Sequence, residues 1–488
     1  MSFSKEIFSA MFKSGIGAAG KIVSNAVAVK IIAVIMGPYG VGLFAQIRQI
    51  WQTTITIGSI NSGTAIVQGV SSRKGIEKIS YISTAFWIVS ATNAIISFLV
   101  FFYAFEISRY FLNSVTNESE MAVKYLSLVV FFGVYLIFFS SLLNGYHAIG
   151  RHSIVTTIGG VVVMLLAWPV VTISGNFGLE FVWMLTASEF VALSVCIFFL
   201  IKGKLFSLFW PTRFIRFNLI IDFFRTSSIL LVTGIFTMAS LLWIRAFIVD
   251  KYGFYGMGIF DAAWLLCMVY VLVVTKSFSA YFLPKLSSID NPSERNSLMS
   301  EGMRIVVLIT VPVIVAMISL KPLIISFLYT SEFIESLNIM KWMLIGDFFK
   351  IISWFLAFTI LAYKDMKVFL WSELIFSSSL LVGMYVSVKL TETYESIGIV
   401  FMAISITYFI FTVIYNKIKH GLKLDKTILA NISLAIVIII ISSINTWDAL
   451  VVDYRIVTVN IVASIIFSWF TLNKSERDRL LYKKLFWR

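Results

Sequence analysis

Gly37-Pro38-Tyr39-Gly40-Val41-Gly42-Leu43-Phe44 recurs as Gly253-Phe254-Tyr255-Gly256-Met257-Gly258-Ile259-Phe260, so each half of this 488-residue chain carries one G-x-Y-G-x-G-x-F motif. Position 253 repeats position 37, an offset of 216 residues, and flanking landmarks keep that spacing. Gln68-Gly69-Val70-Ser71-Ser72 aligns with Pro284-Lys285-Leu286-Ser287-Ser288, and Phe111-Leu112 with Phe327-Leu328. After one inserted residue, Lys124-Tyr125 pairs with Lys341-Trp342 and Tyr146 with Tyr363. Both copies of the motif sit between apolar stretches of helical length. The pattern is that of an internally duplicated membrane protein, and the seam between its halves is where function is expected.

Hydrophobic residues make up 59% of the chain and charged residues 13%, about half the charge of a soluble domain. Fourteen stretches are long enough for a ~30 Å hydrocarbon core: 12–36, 43–70, 80–104, 122–146, 153–174, 181–201, 222–249, 257–284, 302–329, 337–363, 368–388, 397–416, 427–445 and 455–472. The N-terminus leads into the first apolar helix without a small-residue cleavage site close behind it, so a cleavable signal peptide is not expected.

The net charge of +14 is placed by topology. Every second loop is basic, as with Arg73, Lys74 and Lys78, with Lys202, Lys204, Arg213 and Arg216, or with Lys417, Lys419, Lys423 and Lys426. The opposite loops hold Glu118, Glu120, Glu332, Glu335, Glu392, Glu395, Asp448 and Asp453. This alternation puts both termini in the cytoplasm of a multi-pass protein and argues against a nucleic-acid partner. Cys196 and Cys267 fall inside spans as small buried residues, and His147, His152 and His420 map to cytoplasmic loops, so no metal site, disulfide or catalytic constellation is expected.

An all-α polytopic fold follows. Residues 1–201 form a first lobe of six spans, 202–217 an interfacial linker, and 218–420 a second lobe of six. Residues 421–488 add two C-terminal helices and a basic cytoplasmic tail. An even number of spans per half relates the lobes by an axis along the membrane normal.

The run Gly15-Ile16-Gly17-Ala18-Ala19-Gly20-Lys21 nearly matches a phosphate loop, but Ile22 stands where that motif needs a hydroxyl and no strand precedes it. Close helix packing explains the glycines better, and no cofactor is expected. Charges inside the spans are more informative: Lys21, Lys30, Arg48, Arg245, Lys276 and Lys350 against Glu189, Asp261 and Asp347. Six cations at mid-helix would cost roughly 15–20 kcal/mol if all faced lipid. Lys21 shares a face with Ser24 and Asn25, and Arg48 with Gln52, Ser59 and Ser62, as cavity walls do. Arg245 and Lys276 are further candidates for an anion site. Lys30 and Lys350 are weaker, the first by snorkelling and the second because Asp347 stands at i−3. A cavity lined by such cations attracts an anion, and a guanidinium fork suits phosphate oxygens.

With its echo in the second half and the Leu283-Pro284-Lys285-Leu286-Ser287 turn, Met36–Gln46 (M-G-P-Y-G-V-G-L-F-A-Q) resembles the O-antigen and polysaccharide flippases. These belong to the multidrug/oligosaccharidyl-lipid/polysaccharide (MOP) superfamily, whose other branches are multidrug exporters and the lipid II flippase. The resemblance covers about residues 1–420. It implies two six-helix lobes around a cationic cavity in the bacterial inner membrane. The implied cargo is an undecaprenyl-pyrophosphate-linked oligosaccharide, with membrane lipids, a polysaccharide polymerase and chain-length proteins as further partners. By the same analogy Lys21, Arg48, Arg245 and Lys276 hold substrate, with Lys30, Lys350, Asn25 and Gln52 as secondary candidates. Gly40, Gly42, Gly256 and Gly258 are expected to form an outer gate. A multidrug exporter or lipid II flippase is the alternative within transport. A membrane glycosyltransferase or polymerase would need catalytic residues on sizeable loops, and the loops here are short.

Overall fold

The computed structural model describes residues 3–173, 178–203, 217–289, 291–422, 425–472 and 477. Residues 204–216, most of the expected linker, lie outside the described residues, as does the tail beyond Leu472 apart from Arg477. The described chain is helical throughout, with no strand. The elements are α1 (Phe3–Gly58), α2 (Gly63–Ser72), α3 (Gly75–Phe102), α4 (Ala104–Phe111), α5 (Asn117–Gly145), α6 (Ile149–Ile173), α7 (Leu179–Lys202) and α8 (Phe217–Ser288). There follow α9 (Pro292–Leu328), a 3₁₀ turn (Ser331–Phe333), α10 (Ser336–Ala362), α11 (Met366–Leu390), α12 (Glu395–His420), α13 (Lys426–Asn445) and α14 (Tyr454–Thr471). Helices dominate because lipid offers no partner to an open backbone N–H or C=O, and a helix satisfies both internally.

Twelve of these stretches are long and apolar enough to cross a bilayer, and two are of double length: Ala19–Ser72, with 54 residues, and Ser228–Ser279, with 52. A straight helix of that length would run to ~80 Å, far beyond a ~30 Å core. Each is broken near its motif by a glycine with positive φ, Gly37 (φ 61°) and Gly253 (φ 66°). These are the first residues of the two motif copies, so each double helix supplies two spans and the count of fourteen stands. The phosphate-loop-like run from Gly15 to Lys21 lies within helical α1, so no loop is there to cradle phosphate.

The chain divides into two compact units, Met1–Gly258 and Ile259–Arg488. In the first, α1 packs on α6, α3 and α5, and α5 packs on α7 and α3. A core of Val70, Tyr81, Val130, Phe138, Leu142 and Phe223 ties the start of α8 to this bundle. In the second unit α10 packs on α12 and α9, and α11 on α12.

The two C-terminal helices pack on α9 and are held there by polar tethers. Arg304 Nη1 donates to the Thr471 carbonyl (3.0 Å), Ser468 Oγ to the Leu308 carbonyl (2.9 Å) and Asn460 Nδ2 to Ser319 Oγ (3.1 Å). Their connecting loop is fixed as well. Fully buried Lys321 donates to the Trp447 carbonyl (3.3 Å), and Lys341 Nζ lies 2.9 Å from Glu395 and 3.9 Å from Asp448. Trp342 donates to Glu395 Oε1 (2.7 Å) and meets the Trp447 ring edge-on at 4.8 Å.

Topology reporters test this arrangement. Fusions after Lys74, Arg151, Arg213, Arg295, Lys367 and Lys423 are expected to report cytoplasm, and fusions after Glu118, Glu335, Glu395 and Asp448 periplasm. A cytoplasmic signal after Asp448 would reduce the core to twelve spans and make α13 and α14 interfacial.

Candidate functional site

Within the first unit the two motif copies touch. Gly37 breaks α1, and Pro38 stands at the first position of the segment that follows, where a missing N–H costs nothing and φ is already helical. Gly253 makes the same break in α8, and Phe254 takes the place of the proline. A methyl group on Gly42 would collide with the Phe254 carbonyl and the Gly258 nitrogen, and one on Gly258 with the Pro38 carbonyl. Residue 38 corresponds to 254 and 42 to 258, so the two contacts are the same contact taken twice across a pseudo-two-fold axis. The Tyr39 and Phe254 rings pack edge-on at 5.5 Å beside it. Gly40 faces Met36 of its own helix, and Gly256 is buried.

From there the two helices run together toward the opposite end of the unit. Gln49 Nε2 and Thr53 Oγ1 both donate to the Met238 carbonyl, at 3.4 and 3.3 Å. Asn61 Nδ2 donates to the Leu230 carbonyl (2.8 Å). At the far end Arg73 pairs with Asp222 (3.3 Å) and Glu77 (3.2 Å) and covers the Tyr81 ring at 4.3 Å. The helix that opens the second repeat is thus bound to the second span of the first repeat along its length.

That span is itself interrupted, which sequence reading missed. Between α1 and α2 the backbone leaves the helix, with positive φ at Ile60 (54°) and Asn61 (46°). Asparagine tolerates this conformation, whereas a β-branched isoleucine is strained in it. The signal was present as Gly58-Ser59-Ile60-Asn61-Ser62-Gly63, a helix-breaking cluster inside an apolar stretch. Discontinuous helices with irregular backbone at membrane depth accompany binding sites in transporters.

The candidate cations differ in their settings. Lys21 is exposed, next to the point where Ser24 packs on Gly160 of α6. It is the charge that acts on Glu189, a carboxylate buried in α7. Asn25 and Lys30 are half-buried. Arg48 is half-buried with its guanidinium 5.6 Å from the Phe44 ring, and Gln52 beside it is exposed. Of the residues expected on Arg48's face, Ser59 and Ser62 are buried. Arg245 is only 3% exposed, while Lys276, in the second unit, is exposed. Lys350, also in the second unit, is enclosed by aromatic rings with Asp347 and Glu373 as its charged neighbours. Two charges within spans, Lys321 and Glu373, escaped the sequence reading. Among the described residues no group of three or more His, Cys, Asp or Glu side chains is placed to hold a metal ion.

The structure resembles lipid II flippase MurJ in an inward closed conformation, with a TM-score of 0.68 at 14% identity over 98% of this chain and 99% of that one. It also resembles an inward-facing MATE-family multidrug resistance transporter (TM-score 0.68, 10% identity, 84% of this chain and 98% of that one). A third likeness is to a MOP superfamily transporter from Pyrococcus furiosus (TM-score 0.63, 11% identity, 86% and 96%). No curated protein matches it in sequence. Residues 31–338 match the polysaccharide biosynthesis protein family, and the chain belongs to that family.

The turn contact is open to a direct check. With Cys196 and Cys267 replaced by serine, the pair Tyr39→Cys and Phe254→Cys should cross-link readily. Adding Gly42→Ala, which forces the two backbones apart at a cost of about 1–3 kcal/mol, should slow that cross-link strongly. Unchanged cross-linking after Gly42→Ala would show that the backbones do not approach as described.

Proposed function

We propose that this protein is an inner-membrane flippase that moves an undecaprenyl-pyrophosphate-linked oligosaccharide, an O-antigen or related repeat unit, from the cytoplasmic to the periplasmic leaflet. The observation that carries this reading is the meeting of family and fold. The family belongs to polysaccharide biosynthesis, whereas the fold is a transporter's. Between cytoplasmic assembly and external polymerisation, a lipid-linked glycan is the intermediate that must cross the bilayer. The likeness to the lipid II flippase takes in 98% of the chain, against 84% for the multidrug transporter. This supports a lipid-linked cargo over a small-molecule drug.

The chemistry asked of the protein is binding and shielding, with no bond made or broken. Lys21 and Arg48, with Arg245, supply positive charge for the pyrophosphate. Arg48 has the fork that two phosphate oxygens accept together. Gln52 and Asn25 offer hydrogen bonds to the sugars, which cross in water while the polyprenyl tail stays in lipid. The duplicated turns act as the outer gate, closed while Gly42 and Gly258 hold the opposing carbonyls. They part when one repeat rocks against the other. Both termini stay in the cytoplasm.

Arg48→Ala and Lys21→Ala are expected to abolish surface glycan in a complementation assay while the protein remains inserted and abundant. Arg48→Lys should retain part of the activity, since charge survives and the fork does not. Normal surface polysaccharide in both alanine variants would remove these residues from the anion site.

A further inference from the structure

The sequence repeat and the compact units divide the chain at different places. The second repeat opens with α8, whereas the first unit runs on to Gly258 and so takes in the whole arm of α8 from Phe217 to the break at Gly253. One stripe of that arm faces the first repeat. Leu219 and Phe223 are buried in the core that holds Tyr81, with the Tyr81 and Phe223 rings 6.4 Å apart. Two turns on, the Leu230 carbonyl takes the Asn61 amide, and one turn further a methyl group on Gly234 would stand 2.5 Å from that amide nitrogen. The Met238 carbonyl takes Gln49 and Thr53 after another turn. Beyond it the Trp243 ring meets Phe111 of α4 edge-on at 5.0 Å. Steps of seven and four residues return to the same helix face.

Withdrawing this arm from the first repeat would empty the space that Phe223 fills and take the carbonyl acceptors from Asn61 and Gln49 together. The break that follows is built differently. Gly253 sits at φ 66°, a region glycine enters and leaves without steric cost. Among the described residues nothing packs within 4 Å of where its β-carbon would stand. Gly256 and Gly258 follow within five residues. Hinges absorb a motion in a few backbone angles at positions of this kind. The matching break at Gly37 does not link the two units, because both arms of α1 belong to the first. There Gly20 packs against Thr157 and Ser24 against Gly160, on α6.

We propose that the first arm of α8 is a fixed part of the first repeat and that Gly253 is the joint about which the protein opens, so that seven spans move as one body. The outer gate then opens as residues 254–258 swing away from Pro38 and Gly42 while residues 217–252 stay in place. The same glycine is a fixed corner in one repeat and a joint in the other. This deepens the flippase reading and rests on it only where export is measured.

A reversible cross-link tests the idea. With Cys196 and Cys267 replaced by serine, Asn61→Cys and Gly234→Cys face each other across the docked arm and should form a disulfide. Glycan export should be equal in the oxidised and reduced forms. The oxidised Tyr39→Cys/Phe254→Cys pair, beyond the joint, should stop export until reductant is added. Arrest by the Asn61/Gly234 disulfide, relieved by reductant, would overturn the proposal and leave the flippase reading intact. Absence of export from both reduced proteins would count against that reading instead, and the joint is then decided without cargo. Spin labels on Lys74→Cys and Ile221→Cys should give one narrow distance by pulsed electron paramagnetic resonance, unchanged by Gly42→Ala. The distance between labels on Ile221→Cys and Lys367→Cys should shift when Gly42→Ala parts the gate. A Lys74–Ile221 distance that moves with Gly42→Ala, or an Ile221–Lys367 distance that does not, would overturn the proposal.

Discussion

Two carbonyls resting on two glycines fix the geometry of the first unit. Gly42 lies under the Phe254 carbonyl and Gly258 under the Pro38 carbonyl, at a distance no other side chain allows. The contact is isologous: what residue 38 does to 258, residue 254 does to 42. A self-complementary contact of this kind needs the same sequence on both sides, which gives a physical reason for the octapeptide to appear twice. Small residues let helices in lipid approach closely enough for dispersion to hold them, where no hydrophobic driving force is available. The positive φ of Gly37 and Gly253 then directs each following helix away from that contact.

Much of this could be read from the chain. Length and composition give the fourteen spans, and the repeat gives the break at the first glycine of each motif. What could not be read is which residues meet. In a soluble helix the apolar stripe marks the inner face, but a span is apolar all round. The burial of Arg245 and the exposure of Lys276 therefore look alike in sequence. Glu373 and Lys321 were missed for a related reason. Each is a lone charge in an apolar run, and its compensation comes from a different helix or loop, as with Tyr408 for Glu373 and the Trp447 carbonyl for Lys321. The division of the chain inside α8 is equally invisible, because it depends on Gln49, Thr53 and Asn61 reaching backbone carbonyls nearly two hundred residues away in sequence.

The first helix of the second repeat is held at both ends, and the two attachments are unlike. At one end the contact is buried backbone against backbone, with no side chain to swing aside. At the other it is the Arg73–Asp222 pair, whose side chains are 18% and 50% exposed. An exposed pair of this kind is worth about 0–1 kcal/mol. When Asp222 leaves, Arg73 keeps its seat on the Tyr81 ring, its pair with Glu77 and its hydrogen bond to the Gly69 carbonyl. Asp222 can therefore leave without disturbing Arg73, but the same end stays anchored by Phe223, fully buried in the core that includes Tyr81. Parting the glycine turns gives up close packing on both sides of the axis at once.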